Sequence, residues 1–357
     1  MNAMTWIYML IGVVVLVFGA DWLVKGASRI AARIGISPLV IGLTVVALGT
    51  SSPEMAVSIG AALKGSAEIA LGNVVGSNIL NVLGILGAAA LAAPLLVNKQ
   101  LIRLDVPVMI GATALTVVLC MDGNFSRIEG LGFLALLFAY IGWLIFEARR
   151  EKALAAKANE NTEPEAHGNP WVNIGLIIVG SGFLVLGAQL LVDSATAIAR
   201  AFGVSDLVIG LTIVAIGTSL PELATSVVAT IKGERDIAVG NVVGSNIFNL
   251  LAVLGAASVV SGNGINVPAS AIQFDLPVML AVAVVCFPIF ITGQVTRLQG
   301  AIMIFYYAAY TVLLVLTARQ HEAVSAIQGV LVYVIIPATL LYLAISLWKR
   351  PRAANLS

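Results

Sequence analysis

Runs of about 20 apolar residues, joined by short polar connections, recur along the whole chain. Eleven runs start near Thr5, Ser37, Glu68, Leu101, Arg127, Trp171, Ser205, Asp236, Ala269, Thr296 and His321. Each is long enough to cross a bilayer as a helix, so the pattern predicts an all-α polytopic membrane protein. One polar stretch interrupts the series: "EARREKALAAKANENTEPEAHGNP", Glu147 to Pro170. Its charges, Pro, Gly and Asn predict a solvated linker, bounded here as residues 149–170. The start, "MNAMTWIYML", lacks the basic region of a signal peptide and reads as the beginning of the first span.

The chain also repeats. Shifted by 168 residues, "GLTVVALGTSSPE" (42–54) meets "GLTIVAIGTSLPE" (210–222), with ten of thirteen positions identical. "GNVVGSNILN" (72–81) meets "GNVVGSNIFN" (240–249) at the same offset, and "LDVPVM" at Leu104 meets "FDLPVM" at Phe274 at 170. Each copy holds five spans, and five is odd, so the second copy enters the membrane from the opposite side. The prediction is two inverted five-helix repeats, 1–148 and 171–318, with a substrate site at their interface on interrupted helices. An eleventh, peripheral span and a basic tail fill 319–357.

Both copies of the first motif end in Pro-Glu inside an apolar run. Proline removes a helical hydrogen bond and clashes with the carbonyl four residues back, Gly49 before Pro53 and Gly217 before Pro221. The neighbouring carbonyls of Thr50 and Thr218 are loosened as well. In hydrocarbon, free carbonyls are costly unless a partner satisfies them, and a buried Glu54 or Glu222 carboxylate is costlier still. A cation between the two halves resolves both problems. The available donors are all oxygen, with no His, Cys or Met in either motif, which suits a hard cation such as Ca²⁺ or Na⁺. Two facing carboxylates also let protons compete for the site. In the second motif Asn73, Ser77 and Asn81 share a helix face, as do Asn241, Ser245 and Asn249, beside GxxxG spacings that permit close helix approach.

Composition then narrows the class. The chain is 60% hydrophobic and 10% charged, against roughly 25% charged in soluble domains. Its net charge of +1 predicts no nucleic-acid partner; the bilayer is its surroundings. Placing the linker in the cytoplasm puts 15 of the 19 Lys and Arg on the cytoplasmic side and the N-terminus outside, with only Lys64, Arg127, Arg200 and Arg319 opposite. Cys120 and Cys286 read as buried free thiols. His167 and His321 read as solvated, Asp21 as a local partner of Lys25, and Asp105 and Asp275 as helix caps. No protease signature and no Gly-Lys-Ser/Thr phosphate loop is present, so an enzyme is not expected. A channel would not need two interrupted half-sites.

The paired "GTSxPE" and "GNVVGSN" motifs resemble the alpha-1 and alpha-2 repeats of the calcium/cation antiporter superfamily, in its YrbG-like bacterial and archaeal sodium/calcium exchanger branch. The resemblance covers about residues 8 to 318. It implies ten helices in two inverted halves, with the second and seventh interrupted, and exchange of Ca²⁺ for Na⁺ by alternating access in a bacterial inner membrane. It implies Glu54 and Glu222 as central ligands, with the Thr50 and Thr218 carbonyls completing the Ca²⁺ site. The Ala47 and Ala215 carbonyls and the Ser51, Ser77, Ser219 and Ser245 hydroxyls would serve flanking Na⁺ sites, and Asn81 and Asn249 would line the middle position. No cofactor beyond the transported ions, and a monomeric functional unit, are expected. Archaeal and potassium-dependent members have aspartate where this chain has Asn249, whereas animal sodium/calcium exchangers resemble it in having asparagine, which implies no potassium requirement here. The short linker implies that the large calcium-sensing loop of animal exchangers is absent. H⁺ in place of Na⁺ is the main alternative, and Mg²⁺ or Mn²⁺ as substrate a further one.

Overall fold

The computed structural model describes residues 3–157, 169–203, 213 and 215–348. Almost everything described is helix. In chain order the spans are α1 (Met4–Ile34), a bent α2 (Pro38–Thr50 and Ser52–Leu63), α3 (Glu68–Ala92), α4 (Leu101–Asp122) and α5 (Arg127–Lys157). The second half continues with α6 (Pro170–Ala201), α7 (Ala215–Gly217 and Leu220–Ile231), α8 (Arg235–Val260), α9 (Ala271–Ile291), α10 (Arg297–Thr317) and α11 (Ala323–Ser346). The span expected to start near Ser205 begins outside the described residues, which take up α7 only at its break. The expected linker starts later than its charges suggested, because α5 runs on through Lys157. The segment "EKALAAK" is built of strong helix formers, and these carry the helix out past the apolar stretch.

The two halves interlock with the symmetry of an inverted repeat. The connection α3–α4 carries strand β1 (Leu95–Leu96), and α4–α5 carries β2 (Asn124–Phe125). Their counterparts in the second half are β3 (Ile265–Asn266) and β4 (Gln294–Val295). β1 pairs with β4 and β2 with β3, both antiparallel, so each membrane face has one ribbon stitching the halves together. The helices cross in matching pairs too: Gly87 of α3 lies on Gly300 of α10, and Gly255 of α8 on Gly130 of α5.

α1 and α6 form a long antiparallel pair. Glycines at seven-residue spacing remove the side chains that would hold the backbones apart, and a Cβ on Gly180 would lie 2.7 Å from the Leu23 nitrogen and 2.8 Å from the Gly19 carbonyl oxygen. The substitution Gly180→Val is therefore expected to destabilise the protein by about 1–3 kcal/mol, the usual cost of overpacking. A lowered Tm in detergent relative to wild type checks this.

Burial is graded from centre to rim. The most apolar window of α8 is 100% buried, that of α11 only 6%. α11 is thus peripheral, as its lack of a repeat partner suggested, and touches the rest through Tyr306 and Thr339, whose hydroxyls lie 2.7 Å apart. Both cysteines are buried and free. His321 is exposed and its Nδ1 accepts from the Ala323 amide, while His167 lies outside the described residues.

Two local readings are corrected. Asp21 pairs with Lys232 of the α7–α8 turn, not with Lys25. Ser28 reinforces that contact by donating to Glu234 at 2.6 Å. Spacing along one helix cannot reveal a partner 211 positions away. Asp105 and Asp275 do not cap helices. Each lies in a π-helical turn with no side-chain bond to its own backbone, and accepts instead from a tyrosine, Tyr140 at 2.9 Å and Tyr310 at 3.0 Å.

Candidate cation site

The breaks in α2 and α7 fall where the Pro-Glu pairs require them. The first half of α2 ends at Thr50, and Ser51 turns out of the helix at φ −81°, ψ 7°. In α7 Ser219 does the same at φ −93°, ψ 9°. The backbone ladder resumes with the Met55 amide on the Ser51 carbonyl and the Leu223 amide on the Ser219 carbonyl. Glu54 and Glu222 therefore stand in the first turn of the second half-helices, where unpaired N–H groups favour a carboxylate. The first half-helices end at the same place and point their carbonyl ends, carrying partial negative charge, toward it. In α2 the Gly49 carbonyl freed by Pro53 is taken by the Ser52 hydroxyl at 2.7 Å. Leu220 stands at the matching position of α7 and offers no such donor.

Side chains then cross between the halves. Ser51 donates to Glu222 Oε1 at 2.9 Å, and Ser219 donates to Glu54 Oε1 at 3.0 Å. Thr50 donates to Asn241 Oδ1 at 3.0 Å, and Thr218 to Asn73 Oδ1 at 3.4 Å. The amides of Asn73 and Asn241 return to the Glu54 and Glu222 carbonyls at 3.2 and 3.4 Å. Deeper in, Asn81 donates to Asn246 Oδ1 at 3.0 Å, and Asn249 to Asn78 Oδ1 at 3.1 Å. Ser77 lies 3.1 Å from Ser219, and Ser245 lies 3.5 Å from Thr50. Ala47 is buried in the last turn before the break, where its carbonyl accepts from the Ser51 amide at 2.9 Å. Ala215 opens the matching turn of α7.

The expected residues are thus brought together, in two sets related by the repeat. Asn78 and Asn246 went unnoticed because they lie off the stripe spaced by four. The "GSN" shared by both copies was the signal that could have found them. Each tethers the amide nitrogen of an asparagine from the other half, which turns that asparagine's oxygen elsewhere.

What remains unsatisfied is informative. Glu54 Oε2, Glu222 Oε2, Asn81 Oδ1 and Asn249 Oδ1 are buried with no hydrogen-bond partner. All four are oxygens that can only accept unless a carboxyl is protonated. Buried polar atoms are nearly always satisfied, and four symmetry-matched acceptors left over fit a hard cation. Glu54 and Glu222 are themselves 0% exposed, so a neutralising partner is required on energetic grounds.

A family model for the sodium/calcium exchanger protein matches residues 4–146 and 172–316, the two halves without the linker and α11. Among similar proteins, the chain is 39% identical over 315 residues to a putative antiporter, CaxA, of Alkalimonas amylolytica, covering 86% of this chain and 98% of that one. It is 39% identical over 288 residues to the inner membrane protein YrbG of Escherichia coli, covering 78% and 86%. Its fold is similar to the solved structure of the sodium-calcium exchanger NCX_Mj, with a TM-score of 0.74 and 31% identity over 86% of this chain and 97% of that one. Twofold-matched breaks, buried carboxylates and family match agree: this chain is a membrane transporter, not an enzyme, and belongs to the sodium/calcium exchanger family.

Proposed function

We propose that this chain exchanges Ca²⁺ for Na⁺ by alternating access, with Glu54 and Glu222 as shared central ligands. The four unpartnered buried oxygens carry this reading, since they offer two negative charges and two neutral donors to one divalent ion. The Thr50 and Thr218 carbonyls, at the ends of the broken half-helices, complete the Ca²⁺ set. Ser51, Ser77, Ser219 and Ser245, with the Ala47 and Ala215 carbonyls, serve Na⁺ on either side, and Asn81 and Asn249 line the centre. A relative similar over 88% of this chain, from Methanosarcina acetivorans, is named a sodium/calcium exchanger, which supports the ion pair. The chain works as a monomer in a bacterial inner membrane, with its linker cytoplasmic, and needs no potassium.

Gly240 and Gly244 of α8 are buried under α2, where a Cβ would meet the Leu39 carbonyl oxygen at 2.9 Å and the Leu43 carbonyl oxygen at 2.7 Å. Their counterparts Gly72 and Gly76 in α3 line a cavity of about 530 Å³, and the stretch matching Leu39–Leu43 in the second half, 207–211, lies outside the described residues.

The deciding test is ⁴⁵Ca²⁺ uptake into Na⁺-loaded proteoliposomes, with a pH gradient lacking Na⁺ as control. Uptake driven by the outward Na⁺ gradient is expected. Uptake driven only by protons would retain the two glutamates as the site and replace the counter-ion. No uptake under either gradient would overturn Ca²⁺ as the substrate.

A further inference from the structure

Two carboxylates within the spans take no part in the site above. Asp105 ends the first, π-helical turn of α4 and Asp275 that of α9, 170 positions apart, and their tyrosine partners Tyr140 and Tyr310 are also 170 apart. One arrangement therefore occurs twice, once toward each membrane face. Asp275 lies toward the face carrying Glu68 and Asn266, and Asp105 toward the face carrying β1 and β4.

Asp275 is half-buried and lines the 530 Å³ cavity together with Glu68, Asn73, Ser77, Thr218 and Tyr310. That cavity runs from Glu68 and Ser270 near the face down to Ser77, which is hydrogen-bonded to Ser219 at the site. Asp275 thus stands between the mouth and the two glutamates. Asp105 is fully buried, with the Gln100 side chain beside it as well as the Tyr140 hydroxyl.

We propose that Asp275 and Asp105 are passage carboxylates, each holding the entering cation transiently when its own side is open. Each tyrosine hydroxyl holds one carboxylate oxygen, Oδ1 in both copies. A fixed negative charge part-way along a low-dielectric path raises the local cation concentration and shortens the dehydrated step to Glu54 and Glu222. The inference rests on the exchange proposed above. It accounts for a carboxylate at each position where no capping bond is made.

The test is sidedness. Half-saturating Ca²⁺ is measured in right-side-out and everted membrane vesicles for wild type, Asp275→Asn and Asp105→Asn. Asp275→Asn is expected to raise it about tenfold, the low end of electrostatic focusing, only when Ca²⁺ is presented to the Glu68 face. Asp105→Asn is expected to do so only from the opposite face. Tyr310→Phe, which keeps the charge and removes only the hydroxyl, gives a smaller rise on the Glu68 face alone and serves if an asparagine variant does not fold. Equal changes on both faces, or unchanged values in variants that accumulate normally, overturn the proposal while wild-type exchange stands. Absence of exchange in wild type would instead strike the reading beneath it.

Discussion

Glu54→Gln and Glu222→Gln are each expected to abolish Ca²⁺ transport while leaving a folded, membrane-inserted chain. Glutamine keeps the volume of the side chain and can still accept from Ser219 or Ser51, whose hydroxyls now reach Glu54 and Glu222 Oε1. What is lost is one of two negative charges, and the remaining lone carboxylate cannot neutralise a divalent ion. Glutamine also offers an NH₂ where the wild-type Oε2 is an unpartnered acceptor, so a donor would face the cation. Stability is expected to hold or rise, because a buried charge has been removed and the neighbouring hydroxyl bonds persist. ⁴⁵Ca²⁺ uptake and detergent Tm measured on the same preparations separate the two effects. Wild-type uptake in either variant sinks the site, and loss of uptake together with a collapsed Tm would mean that the carboxylates hold the fold instead.

The halves of this molecule were unequally readable from the chain. The spans were legible because hydrocarbon imposes one rule on every helix. The inversion was legible because two copies of five spans can be related in no other way. The site was legible where a residue broke the membrane's rule, as Pro53, Glu54, Pro221 and Glu222 do. Pairing across the repeats was not legible. Helical spacing shows that Asn73, Ser77 and Asn81 share a face, but not that Asn81 will meet Asn246 or that Thr50 will meet Asn241. Asp21 was misread for the same reason, since a nearby Lys25 satisfied a local rule that Lys232 satisfies through the fold. Asp105 and Asp275 were misread because an acid before a proline near a span's start looks like a cap. The π-helical turns at both positions withdraw the backbone donors that a cap would need.

The second large effect is electrical. If about three Na⁺ enter for each Ca²⁺ that leaves, each cycle moves one net charge. The membrane potential then contributes about 2.3 kcal/mol per 100 mV to the coupled equilibrium, or roughly a 50-fold change in the Ca²⁺ gradient that the exchanger can sustain. The proposed site would supply the donors for it: the two glutamates for Ca²⁺, and for Na⁺ the hydroxyls of Ser51, Ser77, Ser219 and Ser245, which lie beside them or beside Thr50. Two glutamates neutralised by one Ca²⁺ give a loaded carrier with no net site charge, whereas three Na⁺ leave one positive charge to cross the field. The Na⁺-loaded step is therefore the voltage-sensitive one. In Na⁺-loaded proteoliposomes with potassium and valinomycin setting the potential, an inside-positive potential is expected to accelerate ⁴⁵Ca²⁺ uptake, because the exiting Na⁺ carries charge outward. An inside-negative potential is expected to slow it. Flux indifferent to the clamped potential would fix the exchange at two Na⁺ per Ca²⁺ and leave part of the hydroxyl set with no ion to hold.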